Sequence, residues 1–561
     1  MREGADSPHY SRERDFAVAL APAQPGLRRM IDHGVPLADG TLLSANIYLP
    51  ADDGAVPMIC AMTIYRKEEH QKHYAVFDPI ANTHLGVMRF SQEATFEGPD
   101  PAYWCAHGYG VIHVDARGFG KSPGIAKPFS LAAFEDYRDI VEWVADQPWC
   151  NGKVATSGVS YLGTSQYFLA ALRPRGLCAI NPWDARTDRF RSDYLGGIPN
   201  TYMSRWIFEN FTIPSLNDPA HAEGMRAFTD IAGAPRLIDA PYHAEKLALL
   251  AMLPDVSVPT LIGGSISDQA KHTRDAFENF MAIGAADKWL YIHRDPEWAA
   301  YYDDAGLALQ RRFFDHVVKG IDNGWDETPR VFGKVFASLR HWVPVAGPSW
   351  PLPQAGQQHF HLGADRALVG APISESASQS YDSTGSGEGP QRAEFALRFE
   401  EDVDLVGHCS LRLWVSVDEG DDADLFVGLK KLDAQGDEVF FLGESGNNPN
   451  DIVSRGWLRA SHRELSPAST PFRPVLAHKR QLPLEPGVPV EVTVEIHPTS
   501  TRFLAGETLL LVIQGSSIPP SDVAIGFGEK INRGKHTIHV GGECPGWLSL
   551  PFITRKTAHA A

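Results

Sequence analysis

Gly158-Val159-Ser160-Tyr161-Leu162-Gly163 follows the apolar strand-like run Val154–Ser157 and opens a helix-like run from about Tyr161 to Leu172. A serine at a tight strand-to-helix turn has the context of a nucleophile elbow. Such a turn forces the serine into a strained backbone conformation, so that its hydroxyl stands clear of the sheet. The start of the helix also leaves backbone N–H groups without intrahelical acceptors, beside the place where an oxyanion would form. The common elbow has glycine two places after the serine. Here Leu162 takes that place and Gly163 follows it.

Outward from this turn the chain alternates. Pro57–Ile64 and Tyr109–Val114 read as buried strands, and so does Leu177–Ile180. Between them, Leu131–Val144 carries Phe134, Tyr137, Ile140, Val141 and Val144 at helical spacing. Alternation of this kind predicts a mostly parallel sheet with helices on both faces. Strand-like runs vanish from 186 to 250, where Tyr194, Trp206, Phe208 and Phe211 mix with polar residues; this segment is expected to be a helical cap. Strands resume at Val258–Gly263 and Trp289–His293, followed by a helix through Leu307–Val318. Beyond Val345, three prolines (Pro348, Pro351, Pro353) mark a linker. The short alternating runs Ser410–Val417, Val490–Ile496 and Thr508–Ile513 then predict an antiparallel β-sandwich or jelly roll. The expected class is α/β: an α/β-hydrolase domain in two parts (1–185 and 251–345), a helical cap (186–250) and a C-terminal jelly-roll-like β-domain (346–561).

The 561 residues are 43% hydrophobic and 21% charged, ordinary for a globular chain able to bury its core without metals or disulfides. A net charge of −18 repels phosphate backbones and anionic membranes, so neither nucleic acid nor membrane is an expected partner. The six cysteines are scattered without metal-ligand spacing and are expected to be reduced and structural. No cofactor and no metal is expected. Met1–Phe16 is charged and lacks the apolar core of a secretory signal, and no apolar run approaches the ~18 residues of a membrane helix; a cytoplasmic location is expected. Gly118-Phe119-Gly120-Lys121-Ser122 ends like a phosphate loop, but Asp115 holds the position of the first glycine and would repel phosphate. His70 and His73 read as a solvated helix start, and Asp418–Asp424 as a hairpin turn.

The elbow sequence around Ser160 resembles that of the CocE/NonD hydrolases, cocaine esterase-like enzymes related to the X-prolyl dipeptidyl aminopeptidases. Asp39-Gly40-Thr41 with Leu43, Val114–Gly118, Asp422–Leu425 and Arg455–Ser461 extend the resemblance over nearly the whole chain. It implies acyl-enzyme chemistry on Ser160. In this fold the chain order is serine, acid, histidine. Asp268 follows the strand Val258–Gly263 and His293 ends the next one, both at the carboxyl edge of the sheet, where ligands bind. Asp184 competes for the acid role, and His272 is the nearest alternative base. The resemblance further implies an oxyanion hole of the Tyr65 hydroxyl and the Tyr161 amide. Trp183, Trp206, Phe208 and Phe211 are candidate pocket residues. The expected activity is hydrolysis of a small-molecule carboxylic ester. Amide or peptide hydrolysis of X-prolyl dipeptidyl peptidase or acylase type is the alternative, and a catalytically inert carbohydrate-binding protein is the alternative of another class. The β-domain could build a homodimer.

Overall fold

The computed structural model describes residues 20, 21, 23–74, 77, 88–385, 389–443, 450–518, 527 and 531–553, without the side chains of 202–204. The charged start, Met1–Phe16, lies outside them.

Strands apolar on both faces need cover on both faces, and the centre of the sheet is built from such strands. In chain order they are β1 (Arg28–Pro36), β2 (Leu42–Leu49), β3 (Val56–Thr63), β4 (Gly110–Asp115), β5 (Cys150–Val159) and β6 (Leu177–Trp183). They are followed by β7 (Thr260–Ser265), β8 (Lys288–His293), β9 (Val331–Phe336) and β10 (Trp342–Gly347). Their spatial order is β1-β2-β4-β3-β5-β6-β7-β8-β9-β10, parallel from β4 to β9 and antiparallel at both ends. Every residue of β4 and β7 is buried.

Helix α1 (Leu131–Ala145) starts at Ser130, whose hydroxyl accepts the Ala133 N–H, and it buries the stripe Phe134, Tyr137, Ile140, Val141 and Val144. Helix α2 (Ser160–Ala171) has no polar face: Tyr161 to Ala170 are all buried, as in a helix enclosed on every side. Three more helices follow, α3 (Thr273–Ala282), α4 (Glu297–Tyr302) and α5 (Asp304–Val317). The segment between β6 and β7 folds into short helices, Arg189–Asp193, Thr201–Ile207, Ala222–Thr229 and Ala244–Leu250, with a π-helical turn at Phe208–Thr212.

After β10 the chain forms an antiparallel sandwich. Val403–Val417 pairs with Val490–Phe503, Lys535–Val540 and Trp547–Ile553. In the facing layer, Asp424–Leu432 pairs with Ser454–Arg459 and Thr508–Gln514. Leu411, Leu413, Val415, Leu425, Val427 and Leu429 meet in the core between them. The hairpin turn expected at Asp418–Asp424 is instead a connection between the two layers, since the strands on either side of it pair with other strands and not with each other. This β-domain also holds the sheet edge: Arg294, next after β8, donates to the carbonyls of Ile452 and Val453 and stacks on Phe441 at 4.1 Å.

Two local expectations meet the structure differently. The Asp115 carboxylate accepts the Lys67 and Lys121 backbone N–H groups (2.7 and 2.9 Å), so a carboxylate sits in the turn where a phosphate loop would hold its ligand. His70 and His73 are not a solvated helix start: His70 is buried against the Ser91 carbonyl at 2.8 Å, and His73 pairs with the buried Glu69 at 2.6 Å. Among the described residues no helix is long and apolar enough to cross a membrane.

Candidate active site

The elbow is strained as the sequence requires. Ser160 has a φ of +55°, a left-handed conformation that costs a non-glycine residue on the order of 1 kcal/mol or more. Close approach explains both glycines. A Cβ on Gly158 would lie 2.5 Å from the Leu162 Cβ, and one on Gly163 would lie 2.7 Å from the Trp183 carbonyl oxygen. The glycine therefore belongs at the third place after the serine, where α2 crosses the end of β6. The Glu97 carbonyl accepts the Val159 N–H at 3.0 Å and pins the last residue before the turn.

Ser160 opens into a small cavity of about 30 Å³ that Tyr65, Tyr161, Phe208 and His272 also line. The Tyr65 side chain lines the same cavity as Ser160. Burial, then the nearby Glu97 and Glu297, push its pKa well above the ordinary value, so it stays a donor. Tyr161 turns its own hydroxyl away, to the Pro128 carbonyl at 2.7 Å, while its backbone N–H belongs to the first turn of α2, where helix donors lack intrahelical acceptors. Asp268, fully buried in the turn after β7, pairs with Nδ1 of His272 one helical turn on. Glu297, at the start of α4, stands 3.5 Å from the same nitrogen and 2.7 Å from the Lys271 ammonium. Burial works against the Glu297 charge, but Lys271 and His272 outweigh it and hold its pKa at about 2.

His293 does not join this group. It ends β8 in register with Ser265, and its ring is fully buried between Trp183 and Tyr291, at centroid distances of 5.6 and 5.8 Å. Its nearest acid is Asp184 at 3.7 Å, and burial lowers its pKa to about 4. The expectation that His293 faces the nucleophile is thus corrected: the histidine that shares the cavity with Ser160 is His272. Asp184 accepts the Ser265 N–H at 2.9 Å; burial and the nearby carboxylates keep its pKa well above the ordinary value. Of the four aromatic candidates, Phe208 lines the cavity. Phe211 packs behind Tyr65 with centroids 6.4 Å apart, and Trp206 packs on Phe211 at 5.1 Å. Trp183 is core, its ring lying directly over Gly263. A second, larger cavity of about 1050 Å³, lined by cap residues and Phe527, shares Phe208 with the first.

Two of these residues lay outside the sequence expectations. Glu297 had no signal of its own, and Lys271 was legible only as a neighbour of Asp268. Asp268, His272 and Glu297 also bring metal-ligand atoms within 4.8 Å of one another. The donor set does not suit a divalent ion, however, because the Lys271 ammonium already stands 2.7 Å from Glu297 and 3.5 Å from Asp268. A second cation there would meet strong repulsion.

A serine lifted from the carboxyl edge of a parallel sheet, with a carboxylate-paired histidine in its cavity, is suited to acyl transfer, and comparison with known proteins defines the class: a serine hydrolase of the α/β-hydrolase fold. Residues 39–295 match the X-Pro dipeptidyl-peptidase (S15) family, and residues 323–549 match the X-Pro dipeptidyl-peptidase C-terminal non-catalytic domain. The chain belongs to the CocE/NonD family of hydrolases. It is 33% identical to the crystal structure of a family member from Staphylococcus aureus, with a TM-score of 0.83 over 95% of this chain and 97% of that one. It is 24% identical to the cocaine esterase of Rhodococcus sp. strain MB1 Bresler over 93% of this chain and 98% of that protein. An aminopeptidase from a marine sediment Thaumarchaeota archaeon, 17% identical with a TM-score of 0.69 over 99% of this chain and all of that one (100%), shares the fold.

Proposed function

We propose that the protein is a serine esterase in which Ser160 is the nucleophile, His272 the general base and Asp268 the carboxylate that orients it. The observation that carries this reading is the single cavity shared by Ser160, Tyr65, Tyr161 and His272, with Asp268 paired behind the imidazole. Pairing at Nδ1 leaves Nε2 as the nitrogen that can take the Ser160 proton. Ser160 Oγ attacks the ester carbonyl as that proton passes to His272. The oxyanion accepts hydrogen bonds from the Tyr65 hydroxyl and the Tyr161 N–H. His272 returns the proton to the leaving alkoxide, and water, deprotonated by His272, then frees the acid and restores Ser160. The likeness to a cocaine esterase supports ester over amide as the scissile bond.

The test is turnover of a panel of aryl and alkyl esters beside Ala-Pro p-nitroanilide, with Ser160→Ala as control and a fluorophosphonate as covalent probe. Ester turnover and labelling that both vanish in the Ser160 variant are expected. Faster cleavage of the prolyl anilide would transfer the reading to the peptidase side of the family. Labelling that survives the substitution would remove Ser160 from its role.

A further inference from the structure

Arg186 lines the cavity that holds Ser160. Its backbone is tied to the elbow helix: the Arg186 N–H donates to the Thr164 hydroxyl at 2.9 Å, and that hydroxyl donates to the Arg186 carbonyl at 3.2 Å. Thr164 lies one turn of α2 beyond Ser160 and lines the same cavity. A cation is thereby fixed a short way from the nucleophile. Lys271 lines the cavity too, but its ammonium is engaged by Glu297 at 2.7 Å and by Asp268 at 3.5 Å.

The charge around Arg186 is uneven. Arg186, Arg189 and Lys246 approach one fully buried carboxylate, Asp193, at 3.5, 3.9 and 2.9 Å. The neighbouring Asp188 is engaged elsewhere, by Arg191 at 2.8 Å and Arg274 at 3.7 Å. Three cations thus share a single carboxylate. The Arg189 guanidinium lies 4.1 Å above the Phe129 ring, and that ring lines the Ser160 cavity, so a second of the three stands just behind the wall. Burial lowers the Arg189 pKa to about 10, with Asp193 opposing the fall and the Arg186 charge adding to it. Like charges held together away from water are costly until an anion joins them. The chain carries −18 overall, but surface charge is screened beyond ~8 Å at physiological ionic strength, so the local surplus governs what the cavity accepts. A guanidinium meets a carboxylate through two parallel hydrogen bonds, which fix orientation as well as distance. An ester with a carboxylate of its own would be held there with its carbonyl near Ser160, and the small cavity limits the two groups to a separation of a few bonds.

We propose that Arg186 receives a carboxylate of the substrate, so that the preferred substrates are anionic esters whose carboxylate lies a few bonds from the scissile carbonyl. This rests on the reading of Ser160 as the nucleophile of an esterase. The test compares isosteric esters on the full-length enzyme. Monobenzyl succinate against benzyl levulinate, its methyl ketone isostere, places the charge on the acyl side; acetoxybutyrate against the corresponding methyl ketone places it on the alcohol side. In at least one pair kcat/KM for the anion is expected to exceed that of the neutral isostere by about tenfold or more, the effect of a hydrogen bond between charged groups. Arg186→Met leaves Asp193 paired with Lys246, so no buried acid is orphaned, and it is expected to bring the ratio to about one. Wild-type ratios near unity in both pairs overturn the proposal, and so does a preference that survives in Arg186→Met. Should that variant fail to fold, Arg186→Lys is read in its place: loss of the planar fork lowers the ratio, and an unchanged ratio overturns the proposal. If no ester is cleaved, or cleavage survives Ser160→Ala, the esterase reading falls separately, and calorimetry with succinate decides the anion site. Binding that weakens about tenfold in Arg186→Met sustains it; binding that is absent, or unaffected by the substitution, overturns it.

Discussion

Asp268 and His272 stand one turn apart in the loop that leaves β7, with the carboxylate of the first against Nδ1 of the second. The proposed acid and the proposed base thereby come from the same loop. The histidine at the end of the following strand, where chain order would place the base, is walled off by Trp183 and Tyr291.

Exchange of the two histidines separates the assignments. His272→Ala is expected to lower kcat by about 10⁴-fold or more, the usual size of the loss when a triad base is removed. His293→Asn is expected to leave kcat within about tenfold and to act mainly on stability, since a buried ring is being replaced. Steady-state kinetics with an aryl ester, beside thermal melts, would show the order; a His293 variant slower than the His272 variant would restore the base to β8.

The two acids around His272 should differ in kind. Asp268→Asn is expected to reduce kcat by about 10⁴-fold, because it fixes the wrong tautomer of the imidazole. Glu297→Gln breaks a buried ion pair of 2.7 Å with Lys271 and is expected to cost about 3–5 kcal/mol of stability. Its kcat should fall by only about tenfold, as Glu297 lies farther from the imidazole than Asp268 does. Denaturant melts and kcat measured on both variants check this; equal catalytic losses would make Glu297 a full partner in orienting the base.

Phe208 lines both the small cavity at Ser160 and the cavity of about 1050 Å³ within the cap. It belongs to a π-helical turn, a local distortion that often marks functional positions. Phe208→Ala should open the two cavities into one and raise kcat/KM for long-chain or aromatic acyl esters about tenfold relative to acetate. An unchanged ratio of the two substrates would mean that access does not pass this ring.

Acid should unfold the protein over a defined range. His113, His293 and His408 are held to about 4 and His497 to about 3, in each case chiefly by burial. In the unfolded chain these groups titrate near ~6.5, so between about pH 6.5 and 4 the unfolded state binds more protons than the folded one. Stability is therefore full above pH 6.5, declines as the pH falls, and stops changing on this account below the folded values. Each group contributes on the order of 3 kcal/mol to the decline, and the four together rival the whole stability of a typical domain. Thermal melts across pH 7 to 4 should show a steep fall in Tm; a flat Tm would contradict the burial of neutral imidazoles.

The elbow was legible because its requirements are local: a serine with positive φ, and glycines at 158 and 163 where a Cβ would strike the helix or β6. The sheet was legible because β3, β4 and β7 are apolar throughout, and Asp268 followed from its place after a strand. The burial of His293 was not legible because chain order is a rule about connectivity, whereas the direction of its ring is set by the register of β8 against β7 and by the bulk of Trp183 over Gly263. The i, i+4 spacing of Asp268 and His272 was visible, but nothing short of tertiary structure shows that the loop between them turns like a helix. The place of Trp183, open between pocket and core, was undecided for a similar reason, since an aromatic at a strand end packs inward or outward according to its neighbours. Glu297 carries no motif at all; its ionised state comes from Lys271 and His272 acting against its burial.

Arg294 gives the β-domain a part in the active site. Its guanidinium is received by carbonyls more than 150 positions further along the sequence, and the residues on either side of it are the end of β8 and the turn that leads to Glu297. Cutting the chain at the linker would leave that guanidinium buried against nothing and the acid loop without its anchor. Domain shuffling among relatives should then succeed only when the donor half carries a matching pair of carbonyls, so the two halves are constrained to evolve as one unit.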